Sequence, residues 1–367
     1  MIMAKANRLD ILVLIVVLWE LIICQLQNSK SLLVLPEIVT KKNYVSVNTH
    51  TAAGDIHARR SVGSGDPPPP PSLCRKHLQM NHENGGMIVF WHIFKTGGST
   101  LRRRYHKRTH KKVRRWVDMR MTQETYLKKK SQAEATFLSD THTSDPYGYH
   151  GSTLFWEIHE GPSLSTLNHD IVRWRSIAKQ NNKTLFVFTL FREAPSAAIS
   201  YFNFYCPPCD SHQFGFNFEN TEQDFLRTSL TWRNYQSRIL FHGDYGDGKL
   251  WLNRTITAEE SWHLYQNSEL DWIGTTETLS NTTIPILEYL ITGKHVPYQS
   301  AVTVPEEKVA SARYKHTNIS HIRRSDLSLE AMHFLEENTS LDQPLWQWAR
   351  RDYHWESNNA SIIQTPC

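Results

Sequence analysis

Lys95-Thr96-Gly97-Gly98-Ser99-Thr100 puts a lysine, two adjacent glycines and three hydroxyls into one short segment. Those groups suit an anion. Glycines let backbone amides approach it closely, hydroxyls add donors and the lysine adds a point charge. In the nucleotide-hydrolysing pattern G-x-x-x-x-G-K-[ST] the lysine follows the glycines and the next hydroxyl holds magnesium. Here Lys95 precedes them, an order that argues against an ordinary ATPase or kinase. Alone, the same residues also suit a plain tight turn. A basic stretch follows directly: between Arg102 and Lys130, 13 Lys or Arg stand against only Asp118 and Glu124. With a formal net charge of +5 overall, the rest of the chain is therefore negative. The positive charge is a patch, read either as a solvated helix face or arm, or as a surface for an anionic chain.

The elements that position this loop follow from the apolar pattern. Met87 to Trp91 and Leu185 to Phe191 are short continuous apolar runs, the signature of strands buried on both faces. Asp271 to Gly274 reads as the end of a third strand. Helices are expected from Thr100 onward, over Ala194 to Tyr205 and over Ile284 to Ile291. Strands alternating with helices predict an α/β fold with a central parallel sheet flanked by helices. Ligands then sit at the carboxyl ends of the strands, where the glycine loop and the exit of the second strand meet.

Around this domain, expected over residues 86–367, the chain divides further. Lys5 and Arg8 precede the apolar run from Ile11 to Cys24, interrupted by Glu20. This predicts a short cytoplasmic tail (1–8), an uncleaved signal anchor (9–24) and a lumenal remainder, with a cleaved signal peptide as the alternative. Residues 25–85, with five consecutive prolines from Pro67 to Pro71, read as a flexible, partly polyproline stem. Sequons at Asn182, Asn253, Asn281, Asn318, Asn338 and Asn359 agree with a lumenal address. Four cysteines lie beyond the anchor (Cys74, Cys206, Cys209 and Cys367), an even count that suits two disulfides. Cys206-Pro207-Pro208-Cys209 also fits a redox pair or half a zinc site, but no second such pair completes one.

The segment from Phe90 to Thr100 resembles the H-I-P-K-T-G-G-[ST]-[ST] loop of Golgi polysaccharide sulfotransferases, the heparan sulfate 2-O and 6-O and uronyl 2-O enzymes. Phe94 stands where the family has proline. Further along, Arg192 and Ser200 keep the spacing of the family's R-D-P-x-x-R-x-x-S-x-Y segment, with the proline displaced to Pro195, Ala197 in place of the second arginine and Tyr201 one residue early. Ile273-Gly274-Thr275-Thr276-Glu277 and Leu341-Asp342-Gln343-Pro344-Leu345-Trp346 are fainter echoes, the Glu277 being read as structural. Together the similar segments span Met87 to Trp355.

The resemblance implies a P-loop-type three-layer fold and a sulfuryl donor, PAPS. Lys95, Thr96, Gly97, Gly98, Ser99 and Thr100 would hold its 5′-phosphosulfate, and Arg192 with Ser200 its 3′-phosphate. Transfer to a hydroxyl requires in-line geometry, positive charge on the leaving phosphate and a base. Lys95 is the expected cation, and no metal is required. A histidine suits the base, and His150, in Tyr149-His150-Gly151, resembles the family segment that carries it, with one histidine where the 2-O enzymes have two. His159 is a weaker rival, and His92 is read as a packing residue. The implied protein is a single-pass type II Golgi enzyme acting on an acidic polysaccharide or other glycan, with no nucleic-acid partner. A tyrosylprotein sulfotransferase and an inactive glycosaminoglycan-binding protein on the same fold remain alternatives.

Overall fold

The computed structural model describes residues 74–77, 84–105, 113–118, 122–139, 151–159, 161–205, 222–223, 225–226, 233–243, 256–294, 322–356 and 360–364. All lie in one unit, residues 68–367. The expected tail, anchor and most of the stem lie outside them. Among the described residues no helix is long and apolar enough to cross a membrane.

Five parallel strands form the centre, in the order β3-β4-β2-β5-β6: β2 (Gly86–His92), β3 (Val113–Asp118), β4 (Thr153–His159), β5 (Thr184–Phe191) and β6 (Trp272–Thr275). Every residue of β2 and β4 is buried, and so is β5 apart from Leu185. That is the physical origin of the unbroken apolar runs: with helices on the faces, no strand alternates between core and water. The register pairs His92 at the end of β2 with His159 at the end of β4. On the other side, β2 pairs with β5 from Gly86–Thr184 to Phe90–Phe188.

The chain places β3 and β4 on one side of β2 and then returns for β5 and β6 on the other. The reversal puts a crevice at the carboxyl end of β2, the place where α/β sheets bind ligands. Between the strands run α1 (Gly98–Arg104), α2 (Gln123–Ala133, continued as a π-helical turn over Glu134–Leu138) and α3 (Leu164–Gln180). After β5 come α4 (Ala194–Tyr205), α5 (Tyr235–His242) and α6 (Ala258–Gln266). Then follow α7 (Ile284–Thr292), α8 (Leu329–Asn338) and α9 (Asp342–Asp352).

Side chains explain the joints. Trp156 on β4 packs between Trp116, Tyr126 and Trp174. The helices that bring the last two are tied by Tyr126 Oη donating to Asp170 at 2.6 Å and Trp174 Nε1 donating to Glu134 at 2.9 Å. Four helices begin with a hydroxyl cap: Thr122 for α2, Ser163 for α3, Thr257 for α6 and Ser328 for α8.

Three further strands make a small antiparallel sheet in the order β1-β8-β7: β1 (Cys74–His77), β7 (Tyr353–Glu356) and β8 (Ser361–Gln364). Sequence reading gives no hint of it. Strand β1 falls inside the stretch read as stem, and a four-residue polar segment such as Cys74–His77 has no period of its own. Strands β3 and β4 are also absent from that reading. The basic stretch conceals β3, because Arg114 and Arg115 belong to this edge strand and not to a helix.

Candidate functional site

The loop after β2 is built by its own hydrogen bonds. Thr96 donates through both its backbone N–H (3.3 Å) and its hydroxyl (2.6 Å) to the carbonyl of Ile93, closing a tight turn. Lys95 sits in that turn at φ 65, a left-handed conformation uncommon for a residue with a side chain. Gly97 follows at φ 100, where glycine is the residue of choice, and caps α1. A Cβ on Gly98 would lie 2.1 Å from Cε1 of His92, so this glycine is required by close packing. The hydroxyl of buried Thr96 is thus engaged within the loop, while Ser99 is exposed and Thr100 half-buried.

The exit of β5 meets this loop. Arg192 Nη1 donates to the Lys95 carbonyl at 3.3 Å. The Arg192 backbone is held in turn by Gln236, whose Oε1 accepts its N–H at 2.9 Å and whose Nε2 donates to its carbonyl at 2.8 Å. Gln236 and Ser237 donate to the buried carboxylate of Asp342 at the start of α9. Burial raises Asp342 to about 6 against the pull of those hydrogen bonds. The ammonium of Lys95 lies 4.0 Å over the ring of Phe204. Burial, and secondly the neighbouring Arg192, lower its pKa to about 8. Ser200 stands one turn before Phe204 and shares its face of α4. Structure therefore brings Lys95, Gly97, Gly98, Ser99, Thr100, Arg192 and Ser200 to one end of the sheet, with two cations drawn together in a half-buried crevice.

Behind the loop lies a cluster that sequence reading missed. His92, Glu157 and His159 are all buried, with His92 Nδ1 2.7 Å from His159 Nε2 and 2.8 Å from Glu157 Oε1. Arg102 Nε reaches both oxygens of Glu157 at 2.9 and 2.8 Å, and its Nη2 lies 2.7 Å from His159 Nε2. Phe94, the residue that replaces a proline, lays its ring against both histidines. Burial lowers His92 to about 3, aided by His159 and partly offset by Glu157, and burial likewise lowers His159. Burial works against the charge of Glu157, but contacts with His159, His92 and Arg102 outweigh it and hold the carboxyl well below the usual range. His92, Glu157 and His159 form a set with the chemistry to hold a divalent cation. The guanidinium of Arg102 already faces that set. The signal in the sequence was thin: Glu157 and His159 stand two apart and so share one face of a strand, but nothing marked Trp156 to Ile158 as its end.

The other residues singled out fare differently. His150 lies outside the described residues, as do Cys206, Cys209 and Cys367. Arg102 and Arg104 do not offer a free basic face, since Arg102 pairs with Glu157 and Arg104 with Glu288, each at 2.8 Å. Only Arg103 of this triplet is exposed. Glu277 accepts from Trp346 Nε1 at 2.9 Å and from the Glu193 amide at 3.4 Å, joining β6, α9 and the start of α4. No protein-family model matches the chain, and no curated protein is significantly similar to it.

Proposed function

We propose that the chain is a PAPS-dependent O-sulfotransferase with a P-loop-type donor site, acting on a hydroxyl of an acidic glycan at the lumenal face of the Golgi membrane. The observation that carries this reading is the meeting of Lys95 with Arg192 across the carboxyl ends of β2 and β5, bonded through the Lys95 carbonyl. Two cations in one crevice suit a ligand with two separated phosphate groups. A loop whose lysine precedes its glycines suits a donor that needs no magnesium.

In this reading the amides from Gly97 to Thr100, with the hydroxyls of Ser99 and Thr100, hold the 5′-phosphosulfate. Arg192 and Ser200 hold the 3′-phosphate. The acceptor oxygen forms a bond to sulfur as the bond from sulfur to the bridging phosphate oxygen breaks, and the acceptor proton passes to His150. Lys95 offsets the charge that develops on the leaving phosphate. The hydroxyl of Thr96 acts indirectly, by closing the turn that sets Lys95 and Gly97.

Incubation of the protein with labelled PAPS and a panel of heparan, chondroitin, dermatan and tyrosine-peptide acceptors tests the proposal. Transfer to a glycan is expected, and it is expected to vanish in Lys95→Ala and His150→Ala variants that remain folded. Failure to bind adenosine 3′,5′-bisphosphate would remove the donor assignment. Transfer to the peptide alone would convert the reading to a tyrosylprotein sulfotransferase.

A further inference from the structure

The anion loop and the first turn of α1 are bracketed by His92 and Arg102, and both residues bond to the same side chain. Glu157, fully buried on β4, lies 2.8 Å from His92 Nδ1 and 2.8 to 2.9 Å from Arg102 Nε. Three side chains converge on this one carboxylate. Arg102 donates to both oxygens of the carboxylate through Nε, and His92 Nδ1 and His159 Nε2 both lie against its Oε1, at 2.8 and 2.7 Å. The imidazole of His92 in turn fills the space beside Gly98, its Cε1 2.1 Å from where a Cβ would stand. We propose that Glu157 is a positioning residue that clamps both ends of the loop, through His92 and Arg102, and holds its backbone amides ready for a phosphate group.

The physical need for a clamp is visible in the loop. Positive φ at Lys95 persists only where the surroundings over-determine it. A loop ordered before binding loses less freedom when the anion arrives. Glu157 touches none of the groups assigned to the anion, so its effect is transmitted wholly by the bracket residues. The clamp stands on this geometry. Its consequence for phosphate binding rests on the donor site proposed above.

The test compares Glu157→Gln with Glu134→Gln in the full-length protein. Glu134 is a buried carboxylate of similar standing that bonds Arg173 and Trp174 far along α2 and α3. Two readouts are taken below the melting temperature of each variant: amide hydrogen exchange over residues 93–101 without ligand, and calorimetric binding of adenosine 3′,5′-bisphosphate. In Glu157→Gln, exchange is expected to rise and affinity to fall, each roughly tenfold or more. Glu134→Gln should lose thermal stability and keep both. His92→Asn, which retains an N–H near the Nδ1 position, should preserve affinity where His92→Leu loses it. This pair carries the test if Glu157→Gln does not fold. Wild-type exchange and affinity in Glu157→Gln and His92→Leu would overturn the proposal. So would stoichiometric Zn²⁺ binding to the wild type that Glu157→Gln abolishes, since the cluster would then be a metal centre. If the wild type binds no bisphosphate while Glu157→Gln still loosens residues 93–101, the clamp stands and the donor reading falls.

Discussion

Lys95 and His92 stand three residues apart and respond to pH for the same reason, burial, with opposite consequences. Removing Lys95 from water, beside Arg192, brings its pKa down to about 8, so the loop is fully charged below that pH and loses its cation above it. Bisphosphate affinity is therefore expected to decline above pH 8 in the wild type. In Lys95→Arg, whose guanidinium stays charged, the decline should move to higher pH, as titration calorimetry at several pH values will read. His92 is held down to about 3, chiefly by burial, while the unfolded chain takes up its proton near 6.5. Between those limits the unfolded state binds the proton and the native state does not. Stability should then fall with acidification by about 1.4 kcal/mol per pH unit for this group. Asp342, raised to about 6, works in the opposite direction over part of that window, because its native form takes a proton first. The clean comparison is a difference: urea unfolding of His92→Asn between pH 6 and 4 should show a slope flatter by about 1.4 kcal/mol per unit.

At the scale of elements, the glycine pair and the basic stretch both change meaning once the neighbours are known. Gly98 has no free backbone choice to make; it is small because the His92 imidazole occupies the space its Cβ would need. Gly98→Ala is expected to cost about 1–3 kcal/mol by overpacking. In a His92→Ala background the same change should cost far less, a coupling that thermal melts of the four proteins would measure. The arginines of α1 divide by direction. Arg102→Ala leaves the buried Glu157 charge with one partner fewer and is expected to cost about 3–5 kcal/mol. Arg103→Ala, on the exposed side, should fall within about 0.5 kcal/mol of the wild type. In sequence these residues are indistinguishable neighbours, because a run of like charge carries no record of which members face a buried carboxylate from a strand more than fifty positions away.

For the molecule as a whole, the short sheet of β1, β7 and β8 closes the C-terminal end of the chain onto the core. Tyr353 and Ile362 are buried with the main hydrophobic cluster, and Ile362→Ala is expected to lower stability in denaturant unfolding by about 2–4 kcal/mol. The described sequons also part company. Asn182 and Asn281 are exposed, whereas Asn338 is buried at the end of α8 and donates its amide to the Phe334 carbonyl at 2.9 Å. If the chain matures in the lumen as proposed, glycans are expected on Asn182 and Asn281 and absent from Asn338, as peptide mass spectrometry after endoglycosidase release would reveal.

Two inner strands and the loop were legible in the residues themselves, whereas β4, buried beside β2, was not. Met87 to Trp91 and Leu185 to Phe191 form β2 and β5 because a strand buried on both faces must be apolar throughout, and Lys95 to Thr100 carry a chemistry that needs no distant partner to be recognised. The helices at Ala194 to Tyr205 and Ile284 to Thr292 were readable for a related reason, since each follows a strand and is apolar enough to cover one. Tertiary structure decided the rest. Only the sheet order could bring His92, Arg102, Glu157 and His159 into one buried contact, or turn Arg192 toward the Lys95 carbonyl. Those contacts join residues 55 to 97 positions apart, and a local sequence pattern reaches no further than a turn of helix or the next residue on a strand face.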